Sequence, residues 1–242
     1  MQQERRTARD TLASTKTHPG VYLTMKMKYK GVIFDLDGTL IDTMEDIAAS
    51  MNRVLKLRGL PELPAGEYRE KVGWGAKRLA FLSLPEEARQ EETAALVAAD
   101  WTRLYTENPL VFSRPYPGIL ELTGELARKK IRTAVLTNKP DSAAQKIIAG
   151  LFPPGSFTCV KGETAGSPRK PDPACVWELL LNLDLTPADI VFAGDSDVDI
   201  ETALSSGCYP LGVSWGYRSI EVIREAGARR IIEKPEELLD FF

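Results

Sequence analysis

The chain has 242 residues, of which 43% are hydrophobic and 27% charged, with a formal net charge of −3. That length allows one sizeable domain, or a core with a smaller insertion. The near-neutral balance gives no reason to expect a nucleic-acid partner, and no apolar stretch approaches the length of a membrane span. The three cysteines, Cys159, Cys175 and Cys208, form no Cys-x-x-Cys pair, which argues against disulfide staples and a zinc site and favours a reducing cytoplasm.

Residues 1–28 are polar and basic, with Arg5, Arg6, Arg9 and Lys16 against Glu4 and Asp10. They have no apolar core of the secretory type and read as a flexible tail. The only histidine, His18, falls there and reads as solvated. Val32, Ile33 and Phe34 then form a short apolar run of the kind that makes a strand buried on both faces. It ends in Asp35 and Asp37, followed by Gly38. Charged residues after a buried strand mark its carboxyl end, where open α/β sheets place their ligands. Two carboxylates converging there repel unless a cation lies between them or one keeps its proton. The plainer reading is a polar turn that caps the next helix through Asp42 or Thr43.

Ile47, Met51 and Leu55 recur at helical spacing, and Gly59-Leu60-Pro61 ends that helix. A second helical pattern over 67–84 is broken at Gly73-Trp74-Gly75, and a third runs from Pro85 through Trp101 to about Glu107. From Pro117 onward, helices alternate with strands at 131–137, 157–161, 190–193 and 209–213, and 235–242 reads as a last docked helix. Such alternation predicts an α/β fold: a Rossmann-like parallel sheet with helices on both faces. The expected division is a core over 29–43 and 111–242 with an all-helical cap over 44–110.

Three further stretches carry chemistry. Thr137, Asn138 and Lys139 close the second core strand, where a hydroxyl and a turn can donate to an oxyanion, although such residues before Pro140 also start helices. Lys170 precedes Pro171 and a helix start; a fixed ammonium near two carboxylates would offset their charge, whereas a solvated lysine is the plainer reading. Asp195, Asp197 and Asp199 follow the strand at 190–193. They fail as a calcium loop, which wants Gly at Ile200 and Glu at Ser206.

Asp35-Leu36-Asp37-Gly38-Thr39-Leu40 resembles the first motif of the haloacid dehalogenase-like superfamily, whose members are mostly phosphatases. Thr137, Lys170 and Gly194-Asp195 with Asp199 match its other three motifs in order. Leu136 to Pro140, Gly73 to Ala76 and Val213 to Tyr217 look like its phosphoglycolate phosphatase branch. The resemblance implies a Mg²⁺-dependent phosphatase in which Asp35 is the nucleophile, Asp37 the acid and base, and Thr137 and Lys170 the charge stabilisers. It places Mg²⁺ on Asp35, Asp195 and the backbone carbonyl of Asp37, with Asp199 behind them. Asn138, Gly75, Lys77 and Arg78 are candidate substrate contacts, the two cations for a second anionic group, and Trp74 is a candidate to close the pocket. The expected partner is a small phosphate ester, 2-phosphoglycolate first, and the expected state a monomer or homodimer with no nucleic-acid or membrane partner. A sugar-phosphate mutase, a nucleotide or pyrophosphate hydrolase, or a non-catalytic binding protein of the same fold are the alternatives. Asp37 argues against a dehalogenase, which lacks the second acid.

Overall fold

Val32, Ile33 and Phe34 are buried in the middle of the sheet, as their unbroken apolar character requires of a strand covered on both faces. The computed structural model describes residues 29–242, and the tail expected over 1–28 lies outside the described residues. In chain order the elements are β1 (Gly31–Phe34), β2 (Ile41–Asp42), α1 (Met44–Leu57), α2 (Ala76–Ser83), α3 (Glu91–Glu107), β3 (Arg114–Pro115), α4 (Ile119–Arg128) and β4 (Arg132–Pro140). There follow α5 (Asp141–Leu151), β5 (Cys159–Glu163), α6 (Ala174–Leu183), β6 (Ile190–Gly194), α7 (Asp197–Ser206), β7 (Tyr209–Val213), α8 (Ile220–Glu225) and β8 (Arg230–Ile232).

Six strands form a parallel sheet in the order β5-β4-β1-β6-β7-β8. Val32 and Phe34 face one apolar cluster, shared with α1, α3, α4 and α5, and Ile33 faces the other, shared with α6. The strand's alternation thus joins both layers. From β1 the chain steps to β4 and β5 on one side and then crosses back to β6 on the other, so the order reverses at β1 and a crevice opens at the carboxyl ends of these strands.

The segment between β2 and β3 is helical. The Ile47, Met51 and Leu55 face of α1 is buried, and Trp101 of α3 donates from Nε1 to Ser50 Oγ at 2.8 Å while stacking on Tyr105. The pattern over 67–84 breaks at Gly73-Trp74-Gly75 as expected, but its first part is not α-helical. It divides into a 3₁₀ turn (Ala65–Tyr68) and α2, because Gly73 and Gly75 adopt φ of 111° and 83°, outside the helical region. Likewise the run after Pro85 begins as a 3₁₀ turn (Glu86–Ala88), and the chain's end (Pro235–Phe241) is 3₁₀ rather than α. The two-residue strands β2 and β3, which pair antiparallel, and the elements α8 and β8 have no counterpart in the sequence reading. No helix among the described residues is long and apolar enough to cross a membrane.

Candidate active site

Asp35 follows β1 directly, and its N–H still donates to Ala193 O of β6 at 3.0 Å, so the sheet fixes its backbone. Lys170 Nζ donates to Asp35 Oδ1 and to Asp199 Oδ1, each at 2.6 Å. Asp199 sits in the first turn of α7. Its Oδ2 accepts from Ser196 N and Oγ while Ser196 caps the helix in return, a reciprocal box that locks the carboxylate in place. Asp195, at the end of β6, accepts from Thr39 Oγ1 at 3.1 Å and Tyr217 N at 2.7 Å. A Cβ at Gly38 (φ 87°) or at Gly216 would overlap the Asp195 side chain, so only glycine admits it there.

Oxygens of Asp35, Asp195 and Asp199 lie within 4.8 Å of one another, all three residues buried. Burial pushes the Asp35 carboxyl well above the usual range; Lys170 opposes this, and Asp199, Asp195 and Asp37 add to it. Asp195 is pushed up to about 7, by burial first and then by Asp199. Burial works against the Lys170 ammonium, but Asp199 and Asp35 outweigh it and hold the charge. One ammonium therefore faces three carboxylates, and Asp35 Oδ2 has no hydrogen-bond partner among the described residues. This oxygen-rich, over-negative cluster fits a hard divalent cation.

Asp37 stands apart from that cluster. Its two oxygens accept from Lys139 Nζ at 2.8 and 2.9 Å, and Oδ1 also accepts from Thr43 Oγ1 at 2.6 Å. Lys139 is buried, with its ammonium 4.6 Å from the Tyr105 ring centre of α3. Thr137 Oγ1 accepts from Lys139 N, and its own proton has no acceptor among the described residues. Asn138 joins two parts of the site. Its amide donates to Lys170 O and to Gly73 O, both at 2.9 Å, and its carbonyl accepts from Lys170 N at 3.0 Å. Asp35, Asp37, Thr137, Asn138, Lys170 and Asp195 line one cavity, closed on the helical side by Gly73, Gly75, Leu79 and Trp101.

The family model for haloacid dehalogenase-like hydrolases matches residues 32–213. The chain belongs to that family. It is 34% identical over 219 residues to a phosphoglycolate phosphatase of Rhodospirillum rubrum, covering 88% of this chain and 90% of that one. It is 33% identical over 186 residues to a phosphoglycolate phosphatase of Aquifex aeolicus, covering 77% and 85%. A solved structure from Lactobacillus delbrueckii subsp. bulgaricus is 30% identical with a TM-score of 0.81, covering 88% of this chain and 97% of that one. A predicted phosphoglycolate phosphatase from Haemophilus somnus is 29% identical with a TM-score of 0.79, with the same coverage.

In this haloacid dehalogenase-like hydrolase the cations expected on the helical segment do not reach the cavity. Ala76 and Leu79 of α2 line it, and the helical period turns the residues between them outward. Lys77 pairs with Glu91 at 2.6 Å in solvent, and Arg78 lies over the Phe81 ring. Gly75 does line the cavity, whereas the closing indole is Trp101 rather than Trp74. Two lining residues that sequence reasoning missed are Lys139 and Arg218. Lys139 stood within a stretch already singled out; Arg218 directly follows Val213 to Tyr217.

Proposed function

We propose that the protein is a Mg²⁺-dependent phosphatase that hydrolyses a small phosphate monoester, 2-phosphoglycolate best, through an aspartyl-phosphate on Asp35. The observation that carries this reading is the state of Asp35. It is a buried carboxylate at the crevice of the sheet, pinned through one oxygen by Lys170 and unpartnered at the other. That free oxygen attacks phosphorus, and the bond from phosphorus to the leaving oxygen breaks. The leaving oxygen takes the proton of Asp37. Asp37, now a carboxylate, takes a proton from water as its oxygen attacks the phosphorus of the aspartyl-phosphate. The Asp35–phosphorus bond breaks, releasing phosphate and regenerating the Asp35 carboxylate and the Asp37 acid.

Lys170 and the Thr137 hydroxyl stabilise charge on the transferring group, and Lys139 with Thr43 orients Asp37. Asp35, Asp195 and the backbone carbonyl of Asp37 would hold Mg²⁺, with Asp199 anchoring Lys170 behind them. When bound, the ion supplies further positive charge against the phosphoryl oxygens. Residues 44–110 act as a cap that excludes bulk water. The phosphoglycolate phosphatases among the relatives support the choice of substrate.

The test is phosphate release from 2-phosphoglycolate, hexose phosphates, nucleotides and pyrophosphate, with Mg²⁺ and with chelator, for the wild type and Asp35→Asn. The expected result is Mg²⁺-dependent release that is best with 2-phosphoglycolate and absent in the variant. Activity that survives Asp35→Asn or ignores chelator overturns the mechanism. Preference for nucleotides by more than about tenfold, roughly 1.4 kcal/mol of transition-state binding, overturns the substrate. Isomerised sugar phosphate in place of free phosphate means a mutase.

A further inference from the structure

The connection from β7 to α8 reaches the Asp195 side and the Thr43 side of the site without belonging to any of its four motifs. Trp215 Nε1 donates to Thr39 O at 3.0 Å. Tyr217 N donates to Asp195 Oδ2, and its hydroxyl accepts from Thr43 N at 2.8 Å, next to the Thr43 hydroxyl that holds Asp37. Arg218, the next residue, leaves the core altogether. Its Nη1 donates to Arg69 O, and its Nη2 donates to Val72 O at 2.7 Å and to Glu70 O at 3.4 Å. These carbonyls follow the 3₁₀ turn at Ala65–Tyr68, where no helix supplies them with donors, and among the described residues Arg218 is their only donor. Behind the guanidinium, Asp197 Oδ1 lies 3.8 Å from Nε and is itself buried without a hydrogen bond.

We propose that Arg218 is a positioning residue that locks the helical segment over the active site and couples its closure to the order of Asp195 and Asp37. The proposal rests on the reading of 44–110 as a cap. A planar fork of donors can hold several carbonyls at once, which the single ammonium of lysine cannot do in the same way. Closure on Arg218 therefore bears on Tyr217, one residue away, whose amide and hydroxyl hold Asp195 and the Thr43 corner. When the lock is lost, the Gly73 to Gly75 wall of the cavity opens while the sheet stays intact.

The experiment compares full-length wild type, Arg218→Ala and Arg218→Lys by amide hydrogen exchange and by steady-state kinetics on 2-phosphoglycolate. In Arg218→Ala, exchange over 69–75 rises about tenfold or more, as expected for a segment released from its main contacts, while β1 and β6 stay protected. Its kcat falls by about 10²-fold, the scale of a misplaced site wall, with KM changed less than kcat. Arg218→Lys lies between the two in both measurements. Unchanged exchange over 69–75, or raised exchange with kcat unchanged, overturns the proposal. So does loss of protection throughout the sheet in Arg218→Ala if Arg218→Lys then behaves as wild type. A wild type that releases no phosphate from any ester defeats the proposed function instead, and the exchange arm still decides whether Arg218 holds the segment.

Discussion

Replacing Asp195 with Asn should stabilise the metal-free protein at neutral pH while removing its activity. Asp195 is buried 4.8 Å or less from Asp35 and Asp199 oxygens, and its carboxyl is raised from 3.8 to about 7. That rise, at roughly 1.4 kcal/mol for each tenfold change in proton affinity, sets a ceiling on the order of 4 kcal/mol for the cost of keeping this group ionised in the fold. The sign follows from the direction: an acid whose folded pKa is raised carries no penalty below pH 3.8, a growing one between 3.8 and about 7, and the whole of it above 7. Asn retains one acceptor for Tyr217 N or Thr39 Oγ1 but removes the charge from two hydrogen bonds; a bond to a charge is worth roughly 1.5–3 kcal/mol against about 1 for a neutral one, so the pair loses about 1–3 kcal/mol. The net gain expected at pH 8 is about 1–3 kcal/mol. Urea unfolding in EDTA at pH 8 and pH 5 measures it directly. As the pH falls, wild type sheds the penalty of the ionised carboxyl, so the advantage of Asp195→Asn shrinks toward pH 5. Adding Mg²⁺ at pH 8 should stabilise wild type far more than the variant. An Asp195→Asn protein that is less stable than wild type in EDTA at pH 8, or an advantage that does not change with pH, refutes the argument.

Asp37→Ala should lower kcat by about 10²–10⁴-fold, and by less on aryl phosphates, whose leaving groups need less protonation; equal losses on alkyl and aryl esters count against Asp37 as the acid. Asp46 of α1, buried with no cation partner among the described residues, accepts from Phe112 N, Ser113 N and Ser113 Oγ. Asp46→Ala should cost about 3–5 kcal/mol in denaturant unfolding, since each donor left unpaired costs roughly 1–3 kcal/mol, and a loss under about 1 kcal/mol contradicts this. Lys77→Ala and Arg78→Ala should leave kcat/KM on 2-phosphoglycolate within about twofold, because neither side chain lines the cavity and surface pairs contribute little.

Asp35, Thr137, Lys170 and Asp195 could be grouped from sequence because they match the motifs of one family in order, and a parallel sheet gathers its strands' carboxyl ends on one edge. The apolar spacing of Ile47, Met51 and Leu55 likewise sufficed for α1, whose buried face is made of those residues. Within 67–84 the break at Gly73-Trp74-Gly75 was legible, whereas the non-helical course before it was not, for a three-dimensional reason. The helical period there is real, but Arg218, far off in the chain, satisfies the carbonyls of Arg69, Glu70 and Val72 in a non-helical course. Lys77 and Arg78 were placed by proximity to Gly75, and only the phase of α2 reveals that they face outward. Lys139 was hidden in another way. A lysine at a strand end is ordinarily solvated, and nothing local indicates that Asp37 and the Tyr105 ring enclose it.

Ile41 pairs with Pro115 and Asp42 with Arg114, so the chain leaves the core and returns to it through two neighbouring antiparallel strands. The ends of the helical excursion are thereby joined whatever its contents. Because the entropy of closing a loop grows only with the logarithm of its length, an excursion so anchored can be lengthened, shortened or exchanged at little cost to the six-stranded sheet. Asp35 and Asp195 report to that sheet, whereas Leu79 and Trp101 belong to the excursion. On the proposed function, bond-breaking chemistry and the choice of molecule it acts on then sit on different pieces of one gene product, and a swap between β2 and β3 that keeps the Tyr105 ring beside Lys139 and the carbonyls that Arg218 and Asn138 hold is the place to alter the second.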